Sequence, residues 1–167
     1  MIKVLCLVLI LPSALAAEEG GSQVWSALFQ QRSIYFTSDR VTAAGVGGGI
    51  GAQVVLNRFL LAQADAGILW GNGNVVPTRL AFGIQRDGRW SPAILGMFSL
   101  LWGQRIEILS ASGQRPAAPV WVVGLLAAPL PFEGSWGYVS ALELGYGIGP
   151  DRGQSLELTL LSVSARW

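Results

Sequence analysis

The stretch Leu156-Glu157-Leu158-Thr159-Leu160-Leu161-Ser162-Val163-Ser164-Ala165-Arg166-Trp167 alternates apolar and polar side chains and closes on an aromatic residue. A period of two is the mark of an extended strand with one apolar and one polar face. Leu156, Leu158 and Leu160 share one face and Glu157 and Thr159 the other. The apolar set then changes parity between Leu160 and Leu161. A β-bulge at that point repairs the alternation; without one, half of the strand faces the wrong way.

Working outward, the composition asks for an apolar surrounding. Of 167 residues, 51% are hydrophobic and only 13% are charged, against about 25% charged in an ordinary soluble domain. No segment is long enough to cross a bilayer as a helix, which takes roughly 20 apolar residues. The long uncharged stretch Pro116 to Phe132 is cut by Pro116, Pro119, Pro129 and Pro131. Only Val120 to Ala128 lies uninterrupted, a length suited to a tilted spanning strand of about 9–11 residues. In lipid only helices and closed barrels satisfy every backbone polar group, so a barrel remains.

From Val41 onward the pattern gives eight strands. The first runs about Val41 to Leu56, with Asn57-Arg58 at its turn. The second is Phe59 to Trp70, where Leu60, Ala62, Ala64, Ala66, Ile68 and Trp70 share one face and Gln63, Asp65 and Gly67 the other. The third is about Val75 to Arg86, with Leu80, Phe82 and Ile84 opposite Arg79, Ala81, Gly83 and Gln85. Asp87-Gly88 is a hairpin signal. The fourth, Trp90 to Trp102, is apolar on both faces. The fifth is about Gln104 to Ala111, and a longer link leads to the sixth at Val120 to Ala128. Pro129 to Gly134 reads as a rigid turn. The seventh is Ser135 to Ile148, and Pro150 to Gly153 turns the chain into the eighth, Gln154 to Trp167.

The N-terminal region reads differently. Lys3, the apolar run Val4 to Leu11 and the small residues Ala14-Leu15-Ala16 form a secretory signal peptide over residues 1–17. An N-terminal membrane anchor is the other reading, and the short apolar run argues against it. Cys6 falls inside that run. The part after residue 17 has no Cys, His or Lys; its ten Arg balance ten Asp and Glu. There is no disulfide framework, thiolate metal site or basic stripe for nucleic acid. Residues 18–40 form a lead-in, because Val24, Trp25, Leu28 and Phe29 fall on one face of a short helix capped by Ser22. It packs at the barrel mouth, plugs the lumen or lies in the interface. Ile34 to Thr37 could instead pair as a strand and raise the count to ten.

The signal peptide, the alternating strands and the terminal Trp167 resemble the small outer-membrane barrels of Gram-negative bacteria, of the OmpA-transmembrane-domain kind. The resemblance covers about residues 41–167 and is one of architecture. It implies an all-β fold: an eight-stranded antiparallel up-and-down transmembrane β-barrel, porin-like in its membrane setting, with both termini periplasmic. Trp70, Trp90, Trp102, Trp121, Trp136 and Trp167 fall near strand ends, as in the aromatic girdles of membrane barrels. On this strand count Trp70, Trp102, Trp136 and Trp167 belong to the periplasmic girdle, Trp90 and Trp121 to the outer one. Two departures stand out. The link between the last two strands is short, and the lumen is less polar than is usual.

The same register points Asp65, Arg79, Arg105, Glu107, Glu143 and Glu157 into the lumen, where charges should be paired. An ion-pair network filling the barrel is the plain reading; a polar pathway or small ligand site is the sharper one. Eight strands leave an interior just wide enough for side chains or one small ligand. Outer-membrane lipases, lipid A deacylases and omptin-like proteases resemble one another in needing a His base, and the chain has none. The glycine run Gly45 to Gly51 contains a loose G-x-G-x-x-A ending at Ala52, but no helix follows it, so it is no dinucleotide site. Glycines there let the wall bend and neighbouring side chains fill the lumen.

The expected function is that of an integral outer-membrane barrel with a structural, envelope-supporting or partner-docking role. No catalytic residue, cofactor or metal is expected. Outer-membrane lipid and a membrane protein are the expected partners, and nucleic acid is not. Two other readings stay open: a barrel that binds or passes a small hydrophobic ligand, suggested by the apolar fourth and sixth strands, and a soluble, lipocalin-like periplasmic barrel.

Overall fold

The computed structural model describes residues 23–39, 42–71, 74–103 and 119–166. Every regular element among them is a strand: β1 (Gln23–Thr37), β2 (Thr42–Leu56), β3 (Leu60–Gly71), β4 (Asn74–Gln85), β5 (Ala93–Gly103), β6 (Val120–Ala128), β7 (Pro131–Gly134), β8 (Gly137–Ser140), β9 (Glu143–Ile148) and β10 (Gln154–Arg166). Each pairs antiparallel with its neighbours, and β1 pairs with β10, so the sheet closes on itself. β6 pairs with β9 and β7 with β8, while β10 pairs with both β8 and β9. Trp90 adds a bridge to Phe132 just ahead of β5. β6 with β7, and β8 with β9, are thus two bent staves, and the closed barrel has eight. Closure leaves no free sheet edge among the described strands.

The turns follow their residues. Asn57 and Arg58 both take positive φ, 51° and 64°, as do Asp151 and Arg152, 53° and 55°. Two central residues with positive φ make the turn whose twist matches a two-residue hairpin. Gly88, at φ 129°, serves the Asp87-Gly88 hairpin.

The pleat sorts side chains by polarity in the reverse of a soluble protein. Leu80, Phe82 and Ile84 of β4 stand 56–62% exposed, while Arg79 between the same strand's flanks is 1% exposed. Leu125, Ile94, Ile50, Tyr146 and Leu156 are likewise turned out. The parity change in β10 is absorbed by a bulge: Gln31 pairs with Leu161 and Arg32 with Thr159, leaving Leu160 unpaired. Leu160 and Leu161 both face outward, and Ser162 and Ser164 return to the interior.

The strand count is eight, but its membership differs from the sequence expectation in three places. Residues 23–37, read as part of a lead-in with a short helix or plug, form β1 and pair along their whole length with β2. Their inward face, Ser26, Leu28, Gln30, Arg32, Ile34 and Phe36, mixes polar with apolar residues. Period two is present in geometry but hidden in polarity, and Val24, Trp25, Leu28 and Phe29 imitate a helical face. Second, β5 pairs directly with β6, from Ala93 with Ala128 to Leu101 with Val120, so no stave stands between them. The fifth strand expected at Gln104 to Ala111 lies outside the described residues, as do residues 1–22 and Trp167. Third, Pro129 to Gly134 is not only a turn: residues 131–134 are β7. Proline can open a strand at its first position.

Candidate functional site

The barrel interior is layered along its axis. At the end where β1 finishes and β10 begins, Phe36, Leu69, Val75, Leu101, Val120 and Val122 fill the lumen, with Val122 and Leu101 at 0–1% exposure. The Phe36 ring lies against Gly149 and Gly153, where any side chain would displace it. This apolar layer stoppers one end of the barrel.

Below it sits a ring of four charges. Arg32 Nη1 donates to Asp65 Oδ1 at 2.7 Å and Nη2 to Glu157 Oε2 at 2.7 Å. Arg79 Nε donates to Asp65 Oδ2 at 2.8 Å, and its Nη1 lies 3.5 Å from Glu157 Oε2. Each carboxylate therefore serves both guanidinium groups. All four side chains are at most 2% exposed. Gln30 accepts from Arg79 Nη2 at 2.9 Å, and Ser99 donates to Glu157 at 3.3 Å. Such a ring holds β1, β3, β4 and β10 in one register, since burying any member alone would be costly.

Room for the ring comes from β2. Its inward positions opposite β1 and β3 are Gly45, Gly47, Gly49 and Gly51, so Arg32 reaches Asp65 over a strand without side chains. A Cβ on Gly51 would meet the Cβ of Asp65 at 2.7 Å as well as the Ala64 carbonyl. The glycine run serves close approach, as its place within a strand suggested.

Toward the other end the interior stays apolar along β5 and β6, with Ala93, Leu95, Leu126 and Ala128 in the buried cluster, and is neutral polar on the side of β1, β2, β3 and β10: Gln63 donates to Gln53, which donates to Ser164, and Gln30 donates to Ser162. Glu143, on β9 across from Thr159, is 1% exposed, and neither of its carboxylate oxygens has a hydrogen-bond partner among the described residues. The Tyr138 hydroxyl, also unpartnered, is nearby. A recess at this mouth, lined by Ser26, Gln53, Gln85, Tyr138 and Arg166, has room for about one water.

Of the six expected lumen residues, Asp65, Arg79 and Glu157 meet in the ring, and Glu143 lies below it. Arg105 and Glu107 are outside the described residues. Arg32 was missed because its strand was missed. The signal was available in the sequence: four expected lumen carboxylates, Asp65, Glu107, Glu143 and Glu157, against only two expected lumen arginines, Arg79 and Arg105. Among the described residues no group of three His, Cys, Asp or Glu could hold a metal.

The aromatic positions divide between the two ends differently from the expectation. Trp70, Trp102 and Trp121 stand 43–62% exposed at the end where β3 and β5 finish. Trp90 and Trp136, 47% and 56% exposed, stand at the opposite end. The missed β1 reverses the direction of every strand up to Trp102, and the expected fifth strand then restores it, so Trp121 and Trp136 keep their places while Trp70, Trp90 and Trp102 change ends. Two indoles find partners at the rims: Trp90 Nε1 donates to the Pro129 carbonyl at 3.0 Å and Trp102 Nε1 to Thr78 at 3.3 Å.

No family model matches this sequence, and no curated protein matches it. Among solved structures, Neisserial surface protein A shares the fold: TM-score 0.59 and 16% identity, over 89% of this chain and 100% of that one. Ail, the attachment invasion locus protein of Yersinia pestis, aligns more loosely, with TM-score 0.47 and 10% identity over 87% of this chain and 99% of that one. A de novo designed transmembrane β-barrel aligns with TM-score 0.43 and 15% identity, over 84% and 95%. The chain is a closed eight-stranded barrel with the fold of the small outer-membrane barrels.

Proposed function

We propose that the chain is an integral outer-membrane barrel with a structural role, supporting the envelope or docking to another membrane protein, delivered by the signal peptide at residues 1–17. One observation carries this reading: the outward positions of the strands are apolar while the charges are inside. On an aqueous surface that arrangement would be an aggregation hazard; in lipid it is what a spanning barrel needs. A soluble lipocalin-like barrel has the reverse need. The inner faces of β5 and β6 belong to the packed apolar cluster, with Leu95, Met97, Val122 and Leu126 at 0–3% exposure, which argues against the hydrophobic-ligand reading. The apolar stopper and the charge ring argue against conduction.

The lack of His and the commitment of the lumen carboxylates Asp65 and Glu157 to Arg32 and Arg79 argue against a catalytic reading. The test is reconstitution of the folded protein in planar bilayers together with cell fractionation. Outer-membrane recovery with no channel steps supports a closed structural barrel. Regular conductance steps, or recovery in the soluble periplasmic fraction, would overturn it.

A further inference from the structure

The rim at the end where β1 begins carries an excess of arginine that the ion-pair pattern does not absorb. Two turns lie side by side there, 57–59 and 86–92, joined by Gln85, whose backbone N–H donates to the Phe59 carbonyl at 2.7 Å and whose side chain donates to the Arg58 carbonyl at 3.3 Å. They present Arg58, Arg86 and Arg89, all exposed, against one carboxylate, Asp87, which Arg58 approaches only to 3.8 Å. Arg86 lies over the Trp90 ring, 5.6 Å from its centroid. Arg86 and Arg89 form no ion pair among the described residues; the next carboxylate, Glu133, adjoins the second turn through its backbone N–H to the Arg89 carbonyl but is taken up by Arg166, so four arginines face two carboxylates at this rim. At the opposite rim the described charges are Asp39, Asp151 and Arg152, with no positive excess.

The cluster sits at a defined depth. Phe59, Trp90, Phe132 and Trp136 are exposed around it at 47–57%, and exposed aromatics at a barrel end mark the headgroup level. Just beyond, on the lipid side, are Phe82, Ile84 and Ile94 at 56–62% exposure. An anion met at that depth beside an apolar wall is a lipid phosphate with its acyl chains along the strands. Guanidinium groups match phosphate oxygens in paired hydrogen bonds, and stacking on Trp90 holds one fork in place beforehand.

Resting on the membrane reading above, we propose that this rim is a headgroup site for an anionic phospholipid, seated between the two turns and held by Arg58, Arg86 and Arg89. Its acyl chains run over the apolar outer faces of β4 and β5.

The test is native mass spectrometry of the folded barrel released from detergent after incubation with phosphatidylglycerol, phosphatidylcholine or inorganic phosphate. Folding is checked separately by the boiling-dependent gel shift. The wild type should retain phosphatidylglycerol roughly tenfold better than phosphatidylcholine. The double variant Arg86→Gln/Arg89→Gln should lose that preference, and Arg152→Gln at the far rim should keep it. Arg89→Gln alone, at a side chain without an ion pair, provides a milder variant should the double one not fold. Equal retention in wild type and rim variants overturns the site. Displacement of the lipid by matched inorganic phosphate also overturns it, in favour of a free-anion site. A chain with no gel shift brings down the membrane reading and this proposal together, whereas a normal shift without lipid preference removes the proposal alone.

Discussion

Arg32 and Asp65 meet at 2.7 Å inside the barrel although β2 separates the strands that carry them. The contact is made over Gly47, Gly49 and Gly51, so the glycine run and the charge ring are one device: the strand without side chains is the bridge across which its neighbours pair. The second guanidinium, Arg79, shares the same two carboxylates.

Removing one member of the ring should therefore cost more than a surface ion pair does. Arg32→Met leaves Asp65 and Glu157 buried with a single cation between them, and should lower stability by about 3–5 kcal/mol. Urea unfolding in lipid vesicles measures it. Breaking the exposed Asp39–Arg152 contact at 4.0 Å with Arg152→Gln should leave the midpoint unchanged, because solvent already screens that pair. Equal effects would mean that the ring contributes nothing special.

Glu143 behaves differently. The ring balances two arginines with two carboxylates, so a third buried carboxyl without a hydrogen-bond partner among the described residues adds a charge or an unsatisfied acid. Glu143→Gln should be neutral or stabilising in the same unfolding measurement. A loss as large as that of Arg32→Met would show that Glu143 is a member of the ring's charge balance.

Two neighbouring glycines on β2 should separate cleanly. Gly51→Ala places a Cβ 2.7 Å from that of Asp65 and against the Ala64 carbonyl, and should cost about 1–3 kcal/mol. Gly48→Ala faces outward, where the added Cβ meets only the Gln30 carbonyl at 3.6 Å, and should be tolerated. Thermal loss of the compact gel band reports both.

The bulge on β10 gives a deletion test. Leu160 is the unpaired residue and shares its outward direction with Leu161. Deleting Leu160 leaves a strictly alternating strand, so the barrel should still form. Deleting Val163 instead turns Ser164 outward and Ala165 inward and should reduce folding yield. Similar yields for the two deletions would contradict the register.

Much of this was legible in the sequence, and the failures have a common cause. Where polarity follows the pleat, as in β3 and β4, the facing of Asp65, Arg79, Leu80 and Phe82 can be read directly from the alternation. The Leu160 parity change likewise announced its bulge. In β1 the barrel wall needs apolar Leu28, Ile34 and Phe36 inside as well as Gln30 and Arg32, while Gln31 and Ser33 face out. Polarity then carries no period, and only the backbone pairing with β2 and β10 reveals the strand. Losing β1 lost Arg32 and inverted the end assigned to Trp70, Trp90 and Trp102. An interior that is apolar at one end and charged in the middle cannot be read from facing alone, because height along the barrel depends on the stagger between strands.

The central claim is a closed barrel whose apolar face belongs in lipid. Diluting the urea-unfolded chain, without its first 17 residues, into phospholipid vesicles and comparing unheated with boiled samples on a mild detergent gel tests it most directly. A lipid-inserted barrel gives a compact band of shifted mobility in the unheated lane that boiling converts to the unfolded position, with the protein floating with the vesicles. A single mobility in both lanes, with the protein left in the aqueous fraction, would contradict it.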